Sequence, residues 1–558
     1  MTRRPAPRSP GTRPGAGGRR ALLAGLAAPV LLRAAPAGAQ LGAHLGAQSG
    51  SQPGVPYSAP VGNLDLRPVR LETRHDDTVT YGYLREILTR WGDRVTADAP
   101  PFNPRQPSAD AAEAQFGWDA VIAGLIPAPL AADGIPRVLL AVAHPTVDPA
   151  MVFPGGGDRP GIAAAMGGAS LLNLERRRLD PAGAGGDRWT VVDGGYQSRR
   201  LTANTLCRAS GPAGPLLGGD ARGLLAVSGG ATTPWGTLLL TEGDPEAWLA
   251  RLRGWDGRFA DSRAFGWTVE LDPADPRGVP TKRTALGRFG KGDAAAVLTR
   301  DGRAVVYLTD RRDAGHLFRF VSHGPAAEPD ALDTGALAVA MVEGERLTWV
   351  DLPLAPEVAL DPLPLAARLG AATFEQPSGI CADARGRVFL ALRGAPGADP
   401  ARPGSILLIE GQRAQHGTDA ASIRGFIPGT PGRYAALNTA WPDHPDRLTL
   451  DAAGRLWIGT DRGGRVGPAP DALYGCETEG AGRGVPLPIY GAPRGAAVGG
   501  CGVVPDGSAC FVAVRTPGAE PGASWDRPGT LWPGFEAALP PRTAVVTLSR
   551  LRGGRVGG

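Results

Sequence analysis

The stretch TRDGRAVVYLTD, residues 299–310, places a short turn at Asp301 and Gly302 directly before an apolar run that ends in an acid. Such turns are typical of β-hairpins, because glycine adopts positive φ at low cost and aspartate hydrogen-bonds within its own turn. Five more stretches follow the same pattern, with turn glycines 53 to 89 residues apart: DGIPRVLLAVAH (133–144), DARGLLAVSG (220–229), DARGRVFLALR (383–393), DAAGRLWIGTD (451–461) and PDGSACFVAVR (505–515). Each interval leaves room for two outer strands and a loop. The six repeats predict an all-β fold, a six-bladed β-propeller with loop insertions.

Length and composition agree with one large β domain. The chain has 558 residues, of which 82 are glycine and 55 are proline, and 42% are hydrophobic, which is enough for a sizeable core. Closed all-β folds often reach this length as single units. We therefore predict one propeller domain at 69–552, preceded by a flexible arm at 41–68 that is rich in Gly, Pro and Ser. A short capped helix is predicted within 105–117, before the first blade.

The segment 1–40 has the features of an export signal. Arg19 and Arg20 precede an apolar run at 21–32, and small residues at 37–39 offer a cleavage site. That apolar run is too short to span a bilayer. The arginine pair resembles a twin-arginine signal, and an ordinary Sec signal is the alternative. Either route predicts a periplasmic or secreted protein without a membrane span.

The basic residues show no sign of a nucleic-acid surface. There are 59 basic and 54 acidic residues, a formal charge of +5, and only Lys282 and Lys291 are lysines. The arginines are scattered among acids and form no basic stripe interleaved with aromatic residues. We predict no nucleic-acid partner and expect a monomer.

The cysteines and histidines do not form a recognisable metal motif. The five cysteines contain no CxxC pair, and the seven histidines contain no zinc-like pair at i and i+4. Cys501 and Cys510 lie on the two arms of one predicted hairpin. A disulfide between them and a pair of buried free thiols are the two alternatives.

Polar residues end the second arm of each predicted hairpin, and a propeller would gather them around one mouth. They are His144, Ser228, Asp310, Arg393, Asp461 and Arg515, and a further apolar run in the second repeat ends at Glu242. Carboxylates and imidazole suit hard or borderline cations, and arginine suits phosphate oxygens. A metal-assisted anion site is one interpretation. The other is that strand ends meet solvent and are polar for that reason.

Several segments resemble the PhoX family of exported alkaline phosphatases, in chain order from about residue 80 to 550. They are ILTRWGD (87–93), AEAQFGW (112–118), TTPWGTLLLTE (232–242), GWTVELDPADP (266–276), KRTALGRF (282–289), VVYLTD (305–310), GRLWIGTD (454–461) and PDGSACFVAVRTPG (505–518). The resemblance implies a β-propeller that hydrolyses phosphomonoesters. It also implies a bound cluster of iron and calcium ions, which polarise phosphate oxygens and activate the nucleophile.

Carried over residue by residue, the resemblance retains only part of the family's site. The metal ligands it implies are His144, Glu242, Asp310, Asp446 and Asp461. The candidate anion-binding residues are Arg199 and Arg200, which the family shares, and Arg515, which stands where the family has glutamine. No catalytic residue is assigned.

The departures from the family pattern remove negative charge from the expected metal site. Lys291-Gly292 stands for His-Glu, Ser378 for a glutamate and Arg447 for an asparagine. Positive charge at these positions opposes the loading of cations. We therefore predict that the iron cluster is lost or much reduced. A single calcium ion on Asp310, Asp446, Asp461 or Glu242 and a metal-free cationic pocket are the alternatives.

Two functions follow from the sequence. The first is an exported phosphomonoesterase of the PhoX type with an altered metal site. The second is a non-catalytic propeller that binds a small anionic ligand or a protein partner through arginines.

Overall fold

Strands make up most of the structure, a computed structural model that describes residues 63–128, 133–178, 187–219, 221–395, 402–432, 435 and 440–558. The predicted signal at 1–40 and most of the arm at 41–68 lie outside the described residues. Within the described ranges, no helix has both the length and the apolar character needed to cross a membrane.

The strands are numbered in chain order. They are β1 (Thr78–Val79), β2 (Tyr83–Arg90), β3 (Val121–Pro127), β4 (Arg137–His144), β5 (Gly168–Arg178), β6 (Asp187–Val191), β7 (Arg199–Leu201), β8 (Arg208–Ser210), β9 (Val227–Thr232), β10 (Leu238–Glu242), β11 (Thr268–Leu271), β12 (Thr281–Arg283), β13 (Lys291–Leu298), β14 (Arg303–Asp310), β15 (Leu317–Pro325), β16 (Gly335–Glu343), β17 (Arg346–Leu352), β18 (Pro377–Ala382), β19 (Arg387–Ala395), β20 (Arg402–Gly411), β21 (Ala420–Ile427), β22 (Pro445–Leu450), β23 (Leu456–Thr460), β24 (Ala472–Cys476), β25 (Pro486–Gly491), β26 (Ala497–Val503), β27 (Cys510–Arg515) and β28 (Ala544–Arg550).

These strands form six blades. The blades are β3–β6 with β7 alongside, β9–β12 with β8, β13–β16, β18–β21, β22–β25 with β1, and β26–β28 with β2. The first strands of successive blades contact one another, and β26 contacts β3, so the ring is closed. The predicted six-bladed β-propeller is confirmed. The outer strand β17 pairs with both β16 and β21, which joins blades three and four into one nine-stranded sheet.

Five of the six predicted hairpin turns connect the first and second strands of a blade. Blade two differs, because β9 and β10 are joined through Thr233–Gly236 and not through Gly223. Gly236 supplies the positive φ that this turn requires, at 94°. The second repeat was therefore placed wrongly: Ser228 lies near the start of β9, and Glu242 ends β10.

The core lies mainly between neighbouring blades. In β14, Val305 and Tyr307 pack in the cluster shared with blade four, whereas Val306 and Leu308 pack in the cluster shared with blade two. Alternate side chains of a strand point to opposite faces of the sheet, so a blade strand is buried on both faces. This explains why the second arm of each repeat is a continuous apolar run.

Two N-terminal strands complete later blades. Strand β2 pairs with β28, with Ile87 opposite Val546, and β1 adds to the edge of blade five at β25. Leu64 and Leu66, at the end of the predicted arm, are buried in the core cluster that contains Trp457.

In the described part of the chain, six short α-helices decorate the blades. They are α1 (Ala109–Ala114), α2 (Pro149–Val152), α3 (Pro160–Met166), α4 (Glu246–Leu252), α5 (Pro356–Leu360) and α6 (Leu363–Arg368). Helix α1 lies inside the predicted segment 105–117, and the Ser108 side chain accepts a hydrogen bond from the Ala111 amide as its N-cap. Helices α2, α3 and α4 pack with Trp91, Trp118 and Phe265 in an additional apolar cluster.

All five cysteines are free thiols in the structure. Cys501 and Cys510 are buried on the paired strands β26 and β27, where Cys501 lies opposite Val512 and Cys510 opposite Val503.

Candidate functional site

The mouth is the end of the ring where the first strand of each blade begins and the second strand ends. Asp310 ends β14 directly opposite Lys291, which begins β13. In later blades Arg393 lies two residues before the end of β19, Asp461 directly follows β23, and Arg515 ends β27. The structure thus brings together residues that are hundreds of positions apart in the sequence.

Arg515 links blade one to blade five across the mouth. Its Nε and Nη2 donate to Oδ1 and Oδ2 of Asp119 at 2.8 and 2.9 Å, and its Nη1 donates to Oδ2 of Asp461 at 2.7 Å. Arg393 donates from Nη2 to the other carboxylate oxygen of Asp461 at 3.0 Å. Asp461 is therefore held by two guanidinium groups. The planar fork of N–H donors in arginine matches the geometry of a carboxylate.

Asp446 is one of the fully buried carboxylates of the mouth. Its Oδ1 accepts from Nη2 of Arg311 and from Oγ of Ser378, both at 2.6 Å. Burial opposes its charged form, but four neighbouring guanidinium groups, from Arg311, Arg447, Arg393 and Arg515, outweigh that effect. They hold the pKa of this carboxyl far below its usual range, so Asp446 is an anion already neutralised by cations.

Arg447 is buried at the mouth end of the central channel. Its Nη1 donates to the Gly292 carbonyl at 3.1 Å and lies 3.7 Å from Oδ2 of Asp293. Arg447 and Asp293 line an axial cavity of about 270 Å³ between the first strands of the six blades. Burial raises the pKa of Asp293 to about 6.

His144 and Arg200 belong to the interior of blade one. The His144 ring is fully buried, with Nδ1 2.7 Å from the Asp119 carbonyl and Nε2 2.7 Å from Oγ of Ser170. Burial lowers the pKa of His144 well below its usual value. Arg200 donates from Nη1 to Oγ of Ser170 and from Nη2 to the carbonyls of residues 165–167.

Arg199 points away from this network. Its Nη1 donates to the carbonyls of Pro276 and Gly278 at 2.9 and 3.0 Å. Of the three predicted anion-binding arginines, only Arg515 contacts the aspartates of the mouth. Arg200 reaches them indirectly, through Ser170 and His144.

Glu242 is a fully satisfied interior carboxylate. Its Oε1 accepts the Leu225 amide at 3.0 Å, its Oε2 accepts the Trp267 amide at 2.9 Å, and Nζ of Lys282 lies 3.3 Å from both oxygens. Neither the Glu242 nor the Lys282 side chain is exposed to solvent. The motif KRTALGRF therefore supplies the counter-ion of Glu242, and this carboxylate has no accessible face for a metal ion.

Asp310 also forms an ion pair with an arginine. Arg312 donates from Nε and Nη2 to its carboxylate, at distances down to 2.7 Å, and the His316 amide lies 3.3 Å from its Oδ2. The Arg312 side chain is half exposed, whereas Asp310 is fully buried.

Lys291 fills the space between blades two and three. Its Nζ donates to the carbonyls of Gly287 and Gly266 at 2.8 and 2.9 Å, and lies 3.4 Å from the Phe289 carbonyl. The side chain is completely buried, and burial lowers its pKa to about 7.

Sequence reasoning missed Asp119, Arg311 and Asp293. Asp119 directly follows the motif AEAQFGW and has a positive φ of 63°, which is uncommon for a residue with a side chain. Arg311 lies one position beyond the predicted strand end at Asp310. The pair Arg311-Arg312 after an apolar run was the available signal for it.

Comparisons with known proteins identify the family of this chain. Residues 64–518 match the family model described as alkaline phosphatase PhoX. The chain belongs to the PhoX family. The structure of Pseudomonas fluorescens PhoX in complex with vanadate, described as a transition state analogue, matches 89% of this chain and 99% of its own length, at 26% identity and a TM-score of 0.77.

Other solved structures match far less well. A putative 6-phosphogluconolactonase of Bacteroides fragilis has a TM-score of 0.31 at 10% identity, covering 78% of this chain and 91% of its own. An arabinofuranosidase of Fusarium graminearum has a TM-score of 0.32 at 10% identity, covering 84% and 98%. A search of curated protein sequences found no match.

PhoX phosphatases are metalloenzymes, so the fit of the mouth to metal ions can be tested on its donor set. Among the described residues, no group of three His, Cys, Asp or Glu side chains is arranged to hold a metal ion. Five mouth aspartates each form an ion pair with a mouth arginine: Asp119 and Asp461 with Arg515, Asp293 with Arg447, Asp310 with Arg312, and Asp446 with Arg311. Such a set has little net negative charge, and it does not fit a cluster of multivalent cations.

Proposed function

We propose that this PhoX-family protein is exported and that its mouth binds a small oxyanion, phosphate or a phosphomonoester, through arginines and without the metal cluster of the family. The observation that carries the proposal is the pairing of every mouth aspartate with a mouth arginine. A carboxylate engaged in this way is a poor metal ligand, whereas an arginine has five N–H donors and retains some for an anion.

Arg311 is the residue best placed to receive the anion. Its side chain is 26% exposed, the most open of the guanidinium groups around Asp446, and only its Nη2 bonds that carboxylate. The other N–H groups of its guanidinium make no hydrogen bond to the described residues. Arg515, 12% exposed, lies on the other side of Asp446 with its Nη1 3.9 Å from that carboxylate. A tetrahedral oxyanion suits the planar donor groups of these arginines.

Binding is tested by calorimetry with inorganic phosphate and vanadate, on protein treated with a chelator. Arg311→Gln should weaken binding about tenfold or more, since a hydrogen bond to a charged group contributes roughly 1.5–3 kcal/mol. Arg385→Gln is the matched control, because Arg385 is an exposed arginine in the β18–β19 turn, at the opposite end of the blade. If the chelator abolishes binding, the metal-free site is wrong.

Hydrolysis at an altered metal site is the second candidate, and it is favoured by the match to a phosphatase family. On this view a single calcium ion would bind Asp310, Asp446 or Asp461; of the carboxylates predicted from the sequence, Glu242 is left out because it has no accessible face. Metal analysis of the protein from its native compartment, with an aryl phosphate assay from neutral to alkaline pH and added calcium and iron, decides between the two. Bound metal together with turnover would replace the first proposal.

Export is proposed from the sequence of the leader. Changing Arg19→Lys and Arg20→Lys together should retain the full-length chain in the cytoplasm if the twin-arginine route is used. Cell fractionation measures this, and unchanged export of the variant would favour the Sec route. Sedimentation of the exported protein would test the expected monomer.

A further inference from the structure

A cavity beside helix α1 is separate from the mouth and shares none of its residues. Its volume is about 250 Å³. Its walls are mainly apolar and include Trp91, Pro101, Phe102, Phe116 and Met166. None of the described residues that line it is charged. We call it the α1 cavity.

Gln115 is the most buried polar side chain that lines the α1 cavity. Only 7% of the residue is exposed, and its Nε2 donates to the Pro100 carbonyl at 2.8 Å. Because a carbonyl can only accept, the amide nitrogen must face Pro100, which leaves Oε1 on the other side. Oε1 accepts no hydrogen bond from the residues that the structure describes. A buried acceptor without a partner is costly, so the cavity favours an occupant that donates an N–H or O–H group.

The walls of the α1 cavity are held in place without a ligand. Phe102 packs so closely on Gly92 that a Cβ there would lie 1.9 Å from Cδ2 of the ring. Its ring also meets the edge of Trp91, with ring centroids 5.1 Å apart. Arg542 lies over Phe102, 4.4 Å from the ring centroid, and donates from Nε to the Trp91 carbonyl at 2.6 Å. A cavity with fixed walls needs little reordering when a ligand binds, which preserves affinity.

Size and charge decide what kind of molecule fits the α1 cavity. An apolar cavity of about 150 Å³ is large enough for benzene, so about 250 Å³ accommodates two fused rings. A charged ligand would find no counter-ion in the lining. A sugar would bring more hydroxyl groups than Oε1 of Gln115 can satisfy, and buried polar groups without partners oppose binding. The cavity therefore suits a neutral aromatic molecule with one hydrogen-bond donor.

We propose that the α1 cavity binds a small neutral aromatic compound whose single N–H or O–H group donates to Oε1 of Gln115. The rings of Trp91 and Phe102 and the thioether of Met166 supply the apolar contacts that aromatic ligands favour. The inference goes beyond the proposed function, because the cavity contains no mouth arginine.

Indole and benzofuran are the probes, since they have the same size and shape and only indole has an N–H donor. Calorimetry on the intact protein should show that indole binds about threefold to tenfold more tightly than benzofuran, which is the effect of one neutral hydrogen bond. Equal affinities for the two probes would contradict the donor requirement. If indole does not bind at millimolar concentration, the proposal is wrong.

Two variants place the ligand in the cavity. Gln115→Met should bind both probes equally, because methionine retains the length of the side chain without the acceptor. Ala111→Leu should abolish indole binding, since Ala111 lines the cavity and the larger side chain occupies it. Ala114→Leu is the matched control on the same helix, at a position outside the cavity lining, and should bind indole as the wild type does.

Wild-type affinity of Ala111→Leu for indole would place the ligand elsewhere and overturn the proposal. If Gln115→Met does not fold, the two probes on the wild type and indole on Ala111→Leu decide. Phosphate and indole are measured on the same preparation, so the two proposals fail separately. Indole binding without phosphate binding refutes only the mouth site, and the reverse result refutes only the α1 cavity.

Discussion

Asp446 is the residue on which the charge pairs of the mouth converge. Arg311 and Arg447 lie within 3.1 Å of its oxygens, and Arg393 and Arg515 lie 3.8 and 3.9 Å away. A buried ion pair adds little to stability by itself, but removing one partner leaves the others buried without compensation. The mouth therefore depends on this single carboxylate more than on any one arginine.

Asp446→Asn should lower the free energy of unfolding by roughly 3–5 kcal/mol, because it leaves several buried guanidinium groups without their shared counter-ion. Urea denaturation followed by tryptophan fluorescence measures this. Glu479→Gln is the control, since Glu479 is 61% exposed and, among the residues that the structure describes, pairs only with the arginines at 385 and 387. If the free energy of unfolding falls no more than in the control, Asp446 does not stabilise the buried arginines.

At the residue scale, the sequence predicted that Asp461 and Arg515 share one mouth with other polar residues, and in the structure these two are in contact. Asp461 directly follows β23 and Arg515 ends β27, and such strand ends can be located from the hairpin repeat. Asp119 could not be found in this way, because it precedes a first strand and follows an irregular segment. The roles of Arg199 and Arg200 depend on carbonyls in other loops, and no sequence pattern encodes the position of a carbonyl.

Blade two shows how an element can resemble a functional site and be structural. Glu242 ends β10, as a mouth ligand would, yet its oxygens are taken by two backbone amides and by Lys282 of β12. The sequence placed Glu242 correctly at a strand end. It did not reveal the partner, which lies 40 residues further along the chain.

Lys282→Met should destabilise the protein by roughly 3–5 kcal/mol, because it leaves the buried Glu242 charge with only amide donors. Glu242→Gln in the same background should recover part of that loss, since neither charge then remains. A double-mutant cycle by chemical denaturation measures the coupling. Additive losses in the double variant would show that the two side chains do not act as a pair.

At the scale of the whole molecule, several buried acids couple the fold to pH. Burial raises the pKa of Asp77 and Asp293 to about 6, and burial together with nearby Asp461 raises the pKa of Asp471 to about 7. In the unfolded chain these acids titrate near their ordinary value of 3.8. Between these values the folded state binds more protons at these three acids than the unfolded state does, so their contribution to stability falls as pH rises from about 4 to about 7. The depressed pKa of His144 acts in the opposite direction.

Denaturation at pH values across that window should therefore show wild-type stability falling toward neutrality relative to the Asp471→Asn variant. Asp471→Asn should flatten the dependence, because of the three acids it is the one whose pKa is raised furthest. The wild-type slope is the reference for that variant. Stability that rises steadily across the window would show that these acids do not govern it.

The number of blades was predictable from the sequence because each blade contains one strongly apolar hairpin. The joining of blades three and four through β17 was not, since outer strands have no repeated signature. The placement of β2 was also unpredictable, because its partner β28 lies at the other end of the chain.

That pairing has a consequence for how the protein is made. Since Tyr83–Arg90 can find its place only beside Ala544–Arg550, the ring cannot close on the ribosome until nearly the whole chain has been synthesised. During translation β2 remains without its partner strand β28, so its edge is accessible to chaperones and proteases. A route that exports folded proteins would move this molecule only after its last blade is complete.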